Sequence, residues 1–341
     1  MAVAAELRAS GAEVSFLGTR ERIEAELVPA AGYEIDYLKV RGIDRRDPVR
    51  AARAVIEAVA ALGAARRALR NRGADVVMGG GGFVAGPAGL AAVLTRTPLV
   101  LTEADSHMGL ANRLLAKRAR RVCLAFPIEG REGDNYLVTG RPVPGSVLKG
   151  DRAKARERFG VAPDGRCLLV MGGSQGARSI NLCAIEAFAE RPGRDFHVVH
   201  LAGKRDFDEL EERIAEAPHR DRYTLLAYEP DLGDALAACD LVLGRSGGSI
   251  FEVTATGRPA ILVPYPHATA DHQSANADWM VDAGAAEAIP DAELNAERLS
   301  REVGDLLADG ERLEVMAVAS ASLAMPDAAR RIADEVLAAA R

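Results

Sequence analysis

The sequence predicts an α/β protein made of two Rossmann-like domains with parallel sheets facing a central cleft. Three observations carry this. Short apolar runs alternate with helical patterns along the whole chain, as in doubly wound sheets. Three of those runs end in a Gly-rich turn that opens a helix, at Gly79–Pro87, Gly172–Arg178 and Gly244–Ser249. Apolar residues make up 48% of the chain and aromatics only 4%, a balance dominated by Ala, Val and Leu that suits strands covered on both faces. At 341 residues the chain has room for two domains of ordinary size.

The chain opens on a helical pattern over Met1–Ser10, then passes through Gly11-Ala12-Glu13 into a strand at Val14–Leu17. An α/β domain ordinarily opens on a strand, and its first turn often holds the ligand. The order here predicts that the first strand and its Gly loop are missing, by truncation or by a departure of the fold. Further strands are expected near Glu34–Val40, Asp75–Met78, Pro98–Thr102, Val122–Phe126 and Tyr136–Val138, with a long helix from Pro48 to Leu69. Gly79–Pro87 reads as a loop ahead of a helix at Ala88–Leu94.

The Pro- and Gly-dense Thr139–Gly145 is the best boundary. It divides the chain into an N-terminal domain at 1–143, a C-terminal domain at 144–324, and a last helix at 325–341 that can pack back on the first domain. In the second domain a helix is expected at Arg152–Phe159, and strands at Cys167–Met171, His197–Leu201, Tyr223–Leu226, Leu241–Leu243 and Pro259–Val263.

A Gly-rich turn feeding a helix presents backbone N–H groups and the positive end of the helix dipole, which suits a diphosphate. A carboxylate in the first helical turn, here Glu252, can accept both hydroxyls of a ribose; an acidic residue there also steadies the helix dipole in its own right. The polar loop carrying His267, Asp271, His272 and Gln273 follows the next strand, at the edge where open sheets bind ligands. None of the turns is a G-x-G-x-x-G with an acid about 20 residues on, so a nicotinamide or flavin site is not favoured.

Taken together, GGSQGAR at 172–178, RSGGSIFE at 245–252, ADHQSANA at 270–277, GGFVAGPAGLAA at 81–92, TEADSHMGLANRLLA at 102–116 and ASGAEVSFLGTRERIEAELVPAAGYE near the start resemble the MurG family. The resemblance runs in order over nearly the whole chain. It implies a GT-B fold and inverting transfer of GlcNAc from UDP-GlcNAc to undecaprenyl-pyrophosphoryl-MurNAc-pentapeptide, converting lipid I to lipid II in peptidoglycan synthesis.

The resemblance also assigns residues. Ser174, Gln175 and Gly176 fall in the loop near the uridine and phosphates, and Gly248 and Ser249 in the turn that meets the diphosphate. Glu252 matches the ribose ligand and Gln273 a contact to the GlcNAc hydroxyls, with His272 beside it. Gly81, Gly82 and Gly86 match a loop on the acceptor's diphosphate. The family's proposed general base would lie before Met1. Within the chain, Asp105 and His107 are the candidates for that role, Asp105 also as a helix N-cap and acceptor contact. The family's Glu-Gln-Asn is Glu103-Ala104-Asp105 here, and its Gly-Asn-Pro-Val-Arg is Gly140-Arg141-Pro142-Val143-Pro144. The changes at Asp105 and Pro144 leave open a related UDP-sugar transferase acting on another lipid or a polyol, and the missing first loop leaves open a non-catalytic UDP-sugar-binding protein; a UDP-GlcNAc epimerase would need acid and base residues on both faces of the sugar, a set these residues do not supply.

No catalytic metal and no cofactor is expected. The single Asp-x-Asp, Asp206-Phe207-Asp208, sits in a charged helical stretch and reads as a solvated helix face. The four cysteines, Cys123, Cys167, Cys183 and Cys239, have no metal-ligand spacing and read as reduced core residues of a cytoplasmic protein.

A net charge of −6 argues against general nucleic-acid binding. Positive charge is nevertheless concentrated in the first half. Residues 41–72 hold nine arginines against three acids, and 113–121 hold Arg113, Lys117, Arg118, Arg120 and Arg121 with none. With Val55, Ile56, Val59, Ala60 and Leu62 among the arginines, this predicts peripheral contact with an anionic membrane surface, on the inner face of the cell membrane.

Overall fold

The computed structural model describes residues 1–40, 48–173, 176–191 and 195–341, without the side chains of 48–56 and 58. Residues 41–47, part of the basic stretch, and the side chains of Val55 and Ile56 therefore lie outside the described residues. The chain divides into two units, Met1–Pro142 with Asp327–Arg341, and Val143–Pro326.

In the first unit, helix α1 (Ala2–Ala9) precedes β1 (Ser15–Gly18), α2 (Glu24–Ala30) and β2 (Glu34–Tyr37). Then come α3 (Pro48–Arg72), β3 (Val77–Gly79), α4 (Gly82–Thr95), β4 (Leu99–Glu103), α5 (Leu110–Leu115), β5 (Arg121–Leu124) and β6 (Tyr136–Val138). Strands β3-β4-β5-β6 form one parallel sheet, and β1 and β2 pair in parallel as a separate ladder. The two ladders still share packing. Val14 ahead of β1 and Val76 ahead of β3 pack on one cluster with Val3 and Leu7 of α1, Val100, Cys123, and Ile332 and Val336 near the C-terminus.

The second unit runs α6 (Arg152–Phe159), β7 (Arg166–Met171), α7 (Arg178–Ile185), β8 (Phe196–Leu201), α8 (Phe207–Ala215), β9 (Tyr223–Leu226) and α9 (Leu232–Ala238). It continues with β10 (Leu241–Gly244), α10 (Ile250–Ala255), β11 (Ala260–Leu262), α11 (His272–Asp282), β12 (Ala286–Ala288), α12 (Ala296–Ala308) and α13 (Gly310–Ser322). Helix α14 (Ala328–Ala340) belongs to the first unit, where Arg331 donates to the Val138 carbonyl at 2.9 Å and Glu335 pairs with Arg121 at 2.6 Å. The second sheet has the order β12-β11-β10-β7-β8-β9, all parallel. From β7 the chain winds one way through β8 and β9, then restarts at β10 on the other side of β7. The switch point therefore lies between β7 and β10, where open sheets of this kind bind ligands. Leu168, Val170, Leu241 and Leu243 of these two strands are fully buried in the core, as parallel strands covered on both faces require.

Three expectations are corrected. Gly79–Pro87 is not a loop throughout: α4 starts at Gly82 and takes in Gly86 and Pro87. Ala85, Ala88, Gly89 and Ala92 form its buried face, so packing at helical spacing overrides the weak propensity of Gly and Pro. Strand β12 was not foreseen, because Ala-Glu-Ala carries no β-branched residue; it forms by parallel pairing of Ala286 to Ala260. Third, Asp206 is not on a solvated face. It is 2% exposed and accepts from Arg205, Arg178 and Asn181. Burial pushes its carboxyl up, but those bonds outweigh burial and hold it below the usual range. All four cysteines are buried and free, and burial pushes the Cys123, Cys183 and Cys239 thiols up to about 12.

Asn181 also bonds His200 at 3.0 Å, and the other ring nitrogen of His200 meets the Tyr223 hydroxyl at 2.8 Å. Complete burial pushes this imidazole down to about 3. Between that value and the ordinary unfolded value of about 6.5 the unfolded chain binds the extra proton, so stability rises with pH across this window. Acidifying from pH 6.5 towards 4 should destabilise the second unit with a His200 contribution approaching about 1.4 kcal/mol per pH unit. Urea unfolding of His200→Gln across the same range should show a correspondingly shallower slope.

Candidate functional site

Two of the three Gly-rich turns leave from paired strand ends at the switch point of the second unit. Gly244 of β10 lies opposite Met171 of β7 in the ladder. A Cβ on Gly244 would stand 2.8 Å from the Met171 carbonyl oxygen, and one on Gly172 would stand 2.3 Å from the Ala177 nitrogen. Gly176 has φ +71°, and its Cβ would meet the Ala202 carbonyl at 2.4 Å. Only glycine lets these backbones close up. Ser174 and Gln175, expected in the first turn, lie outside the described residues.

In the second turn, Ser246 is fully buried and anchored on both sides. Its hydroxyl donates to the Gln273 carbonyl at 2.7 Å, and its own carbonyl accepts from Asn276 at 2.9 Å. Gly247 and Gly248 are left as the open part of the turn, ahead of Ser249 and α10. Ser249 makes no side-chain cap. Glu252 lies half-buried in the first turn of α10.

Gln273 accepts from the Tyr265 backbone N–H at 3.0 Å, while its side-chain nitrogen lies 3.7 Å from where a Gly247 Cβ would stand. That amide N–H₂ therefore borders the turn. Before it, Ala270 and Asp271 both sit at φ +53°, a left-handed conformation costly for side-chain-bearing residues. His272 bonds the Thr269 carbonyl through Nδ1 at 2.8 Å, and Ser274 bonds Asp271 at 2.8 Å. Strained backbone braced by its own side chains holds His272 and Gln273 in place.

Sequence reasoning missed Arg245. Its guanidinium donates to the carbonyls of Val263 and Pro264 at 3.0 and 3.2 Å, to Asp291, and to Ser179 at 2.7 Å. Ser179, in the first turn of α7, donates to the same Asp291 oxygen at 2.8 Å. One fork thus ties the second turn, the loop after β11 and the start of α7 together. The signal was present as an arginine inside a Gly-rich turn, but its partners are 18 to 66 residues away in sequence.

In the first unit, Gly81 and Gly82 have φ +79° and +76° and carry the chain from β3 into α4. A Cβ on Gly86 would lie 3.9 Å from Ala111 of α5, an ordinary contact, so helix packing does not require glycine there. The expected N-cap at Asp105 is not made: α5 begins after Gly109, and Glu103 takes its N–H at 2.9 Å. Glu103 also accepts from Asn112 at 2.9 Å and from the Ala104 N–H at 3.1 Å. Sitting at the buried end of β4, it can reach all three donors, which Asp105 two residues further on does not. Asp105 is left half-buried and His107 exposed on the loop after β4, and among the described residues neither has a hydrogen bond or an ion pair.

Residues 1–124 match the Glycosyltransferase family 28 N-terminal domain and residues 167–332 the Glycosyltransferase family 28 C-terminal domain. The chain is 39% identical over 336 residues to the UDP-N-acetylglucosamine–N-acetylmuramyl-(pentapeptide) pyrophosphoryl-undecaprenol N-acetylglucosamine transferase of Moorella thermoacetica, covering 96% of this chain and 91% of that one. It is 41% identical to the transferase of the same name from Nitrosococcus oceani, covering 99% and 93%. The crystal structure of Acinetobacter baumannii MurG superposes with a TM-score of 0.79 at 29% identity, over 99% of this chain and 94% of that one. The chain belongs to the MurG family. Its fold is GT-B.

Within this MurG-family chain, the fork at Arg245 predicts a measurable effect. Arg245→Lys keeps the charge but loses the planar fork. It should weaken UDP-GlcNAc binding by about 1–2 kcal/mol in calorimetry, with the fold retained in circular dichroism.

Proposed function

We propose that the chain transfers GlcNAc from UDP-GlcNAc to undecaprenyl-pyrophosphoryl-MurNAc-pentapeptide, with inversion at the anomeric carbon. The observation that carries this reading is the pair of Gly-rich turns closed together at the switch point of the second unit, with Glu252 and Gln273 on its rim, in a MurG-family chain. Backbone N–H groups of Gly247–Ser249 and the N-terminal end of α10 meet the diphosphate and stabilise it as it leaves. Ser174, Gln175 and Gly176 supply the other side of the nucleotide. Glu252 accepts the ribose hydroxyls, and the Gln273 amide, with His272 beside it, binds the sugar hydroxyls. On the acceptor side, Gly81, Gly82 and Gly86 favour a diphosphate-bearing lipid. His107 takes the proton of the acceptor hydroxyl, because an exposed imidazole is well matched to proton transfer near neutral pH; Asp105 contacts the acceptor next to it.

The acceptor is lipid-linked, and a surface of the first unit suits a membrane. Phe83, Leu90 and Leu94 share one face of α4, and Leu110 and Leu114 share one face of α5, all exposed, with Leu114 at 72%. Exposed Arg113, Lys117, Arg118 and Arg120 border them, whereas Arg121 is paired to Glu335. Among the described residues no helix is long and apolar enough to cross a membrane, so we assign peripheral docking on the inner face of the cell membrane.

Lipid I-dependent release of UDP tests the transfer. Glu252→Ala should lower donor affinity by about 1–3 kcal/mol, and His107→Ala should lower kcat about 100-fold or more with donor affinity unchanged. UDP release that ignores lipid I, or formation of a sugar epimer, would defeat the reading; binding without turnover would favour a UDP-sugar-binding protein. For docking, Leu114→Glu should reduce co-sedimentation with phosphatidylglycerol vesicles several-fold while sparing turnover of a detergent-solubilised acceptor.

A further inference from the structure

A second concave site lies in the first unit, where α3 and α4 end. It is a pocket of about 420 Å³ whose lining includes Arg66, Arg70, Gly73, Thr95 and Thr97. Helix α4 spans 14 residues, so this end lies about 20 Å along the helix from the Gly81 turn; Leu94, at the edge of the exposed apolar face, also lines it.

Three features set it apart from an ordinary surface hollow. Arg66 and Arg70 are one helical turn apart on α3, so their like charges repel. Among the described residues neither has a carboxylate partner or a hydrogen bond, although arginines such as Arg72, Arg121 and Arg245 are all paired. The Arg66 Nε is buried with no hydrogen-bond partner, a state that carries a desolvation cost unless something nearby offsets it. The Thr95 hydroxyl is committed to the Ala91 carbonyl at 2.9 Å and meets the Thr97 hydroxyl at 2.9 Å. Because Thr95 spends its proton on Ala91, it is Thr97 that donates in that contact, which leaves the two guanidinium groups as the pocket's open donors.

We propose that this pocket is an anion site that takes a phosphate group, with the Arg66 and Arg70 guanidinium groups on its oxygens. Paired arginines are well suited to such an oxyanion, which they bind through charge-assisted, often bidentate bonds. The phosphate can come from a soluble ion or from a phospholipid headgroup, and the two sources are separable.

The test uses the full chain with UDP present at saturation, so that phosphate cannot report on a nucleotide pocket. Inorganic phosphate is titrated calorimetrically at fixed ionic strength into the wild type, Arg66→Gln, Arg70→Gln, and Arg67→Gln as a control that removes an exposed charge outside the pocket lining. The same four proteins are co-sedimented with phosphatidylglycerol and with phosphatidylcholine vesicles. The expected result is that Arg66→Gln and Arg70→Gln each weaken binding at least tenfold, while Arg67→Gln changes it less than twofold. An effect in the phosphate titration alone identifies a soluble anion, and one in the phosphatidylglycerol arm identifies a headgroup. Binding by neither probe, or equal weakening by all three substitutions, overturns the proposal. Retained helicity and cooperative unfolding of each variant separate a lost site from a lost fold.

Discussion

The constraint on which the rest depends is the approach of two strand ends. Strands β7 and β10 are adjacent, and the chain leaves both through turns that admit no Cβ at Gly172, Gly176 or Gly244. Their pairing puts two helix starts at one end of the sheet. Everything placed around the turns reinforces this. Ser246 and Asn276 anchor the second turn from below, and Arg245 binds it laterally to Ser179 and Asp291. The left-handed pair Ala270 and Asp271 delivers Gln273 to its edge. Backbone strain of that kind persists where surrounding bonds over-determine it.

The first unit applies the same logic with different residues. A buried carboxylate, Glu103, organises the loop after β4 by accepting from Ala104, Gly109 and Asn112. With those backbone and amide donors spoken for, Asp105 and His107 are left on the outer side of the loop. One side chain does the structural work of this loop. The same division holds in the second unit, where Asp206 is locked by Arg178, Arg205 and Asn181 while the residues of the turns stay open.

The alternation of strands and helices was legible in the sequence because parallel strands covered on both faces read as unbroken apolar runs. Leu168–Met171 and Leu241–Leu243 are of this kind. The start of α4 was not legible, since Gly82, Gly86 and Pro87 are poor helix formers and only the packing of Ala85, Ala88 and Ala92 makes the segment helical. Strand β12 was hidden for a related reason, its existence depending on a neighbour rather than on its own composition. The Gly-rich turns at the ends of β7 and β10 were readable from glycine spacing. Arg245, Asp291 and Glu103 were not, because their roles reside in partners distant in sequence or in burial at a strand end. An arginine within a Gly-rich turn and an acid closing an apolar strand are the local signs that accompany them.

Hydrogen exchange of the full chain with and without UDP-GlcNAc tests the central claim, that the nucleotide sugar is held by the two turns at the β7–β10 switch point. Protection should rise on residues 172–179, 245–252 and 265–273 and leave the strands' interiors unchanged. Protection confined to other segments, or none at saturating UDP-GlcNAc, would contradict the account.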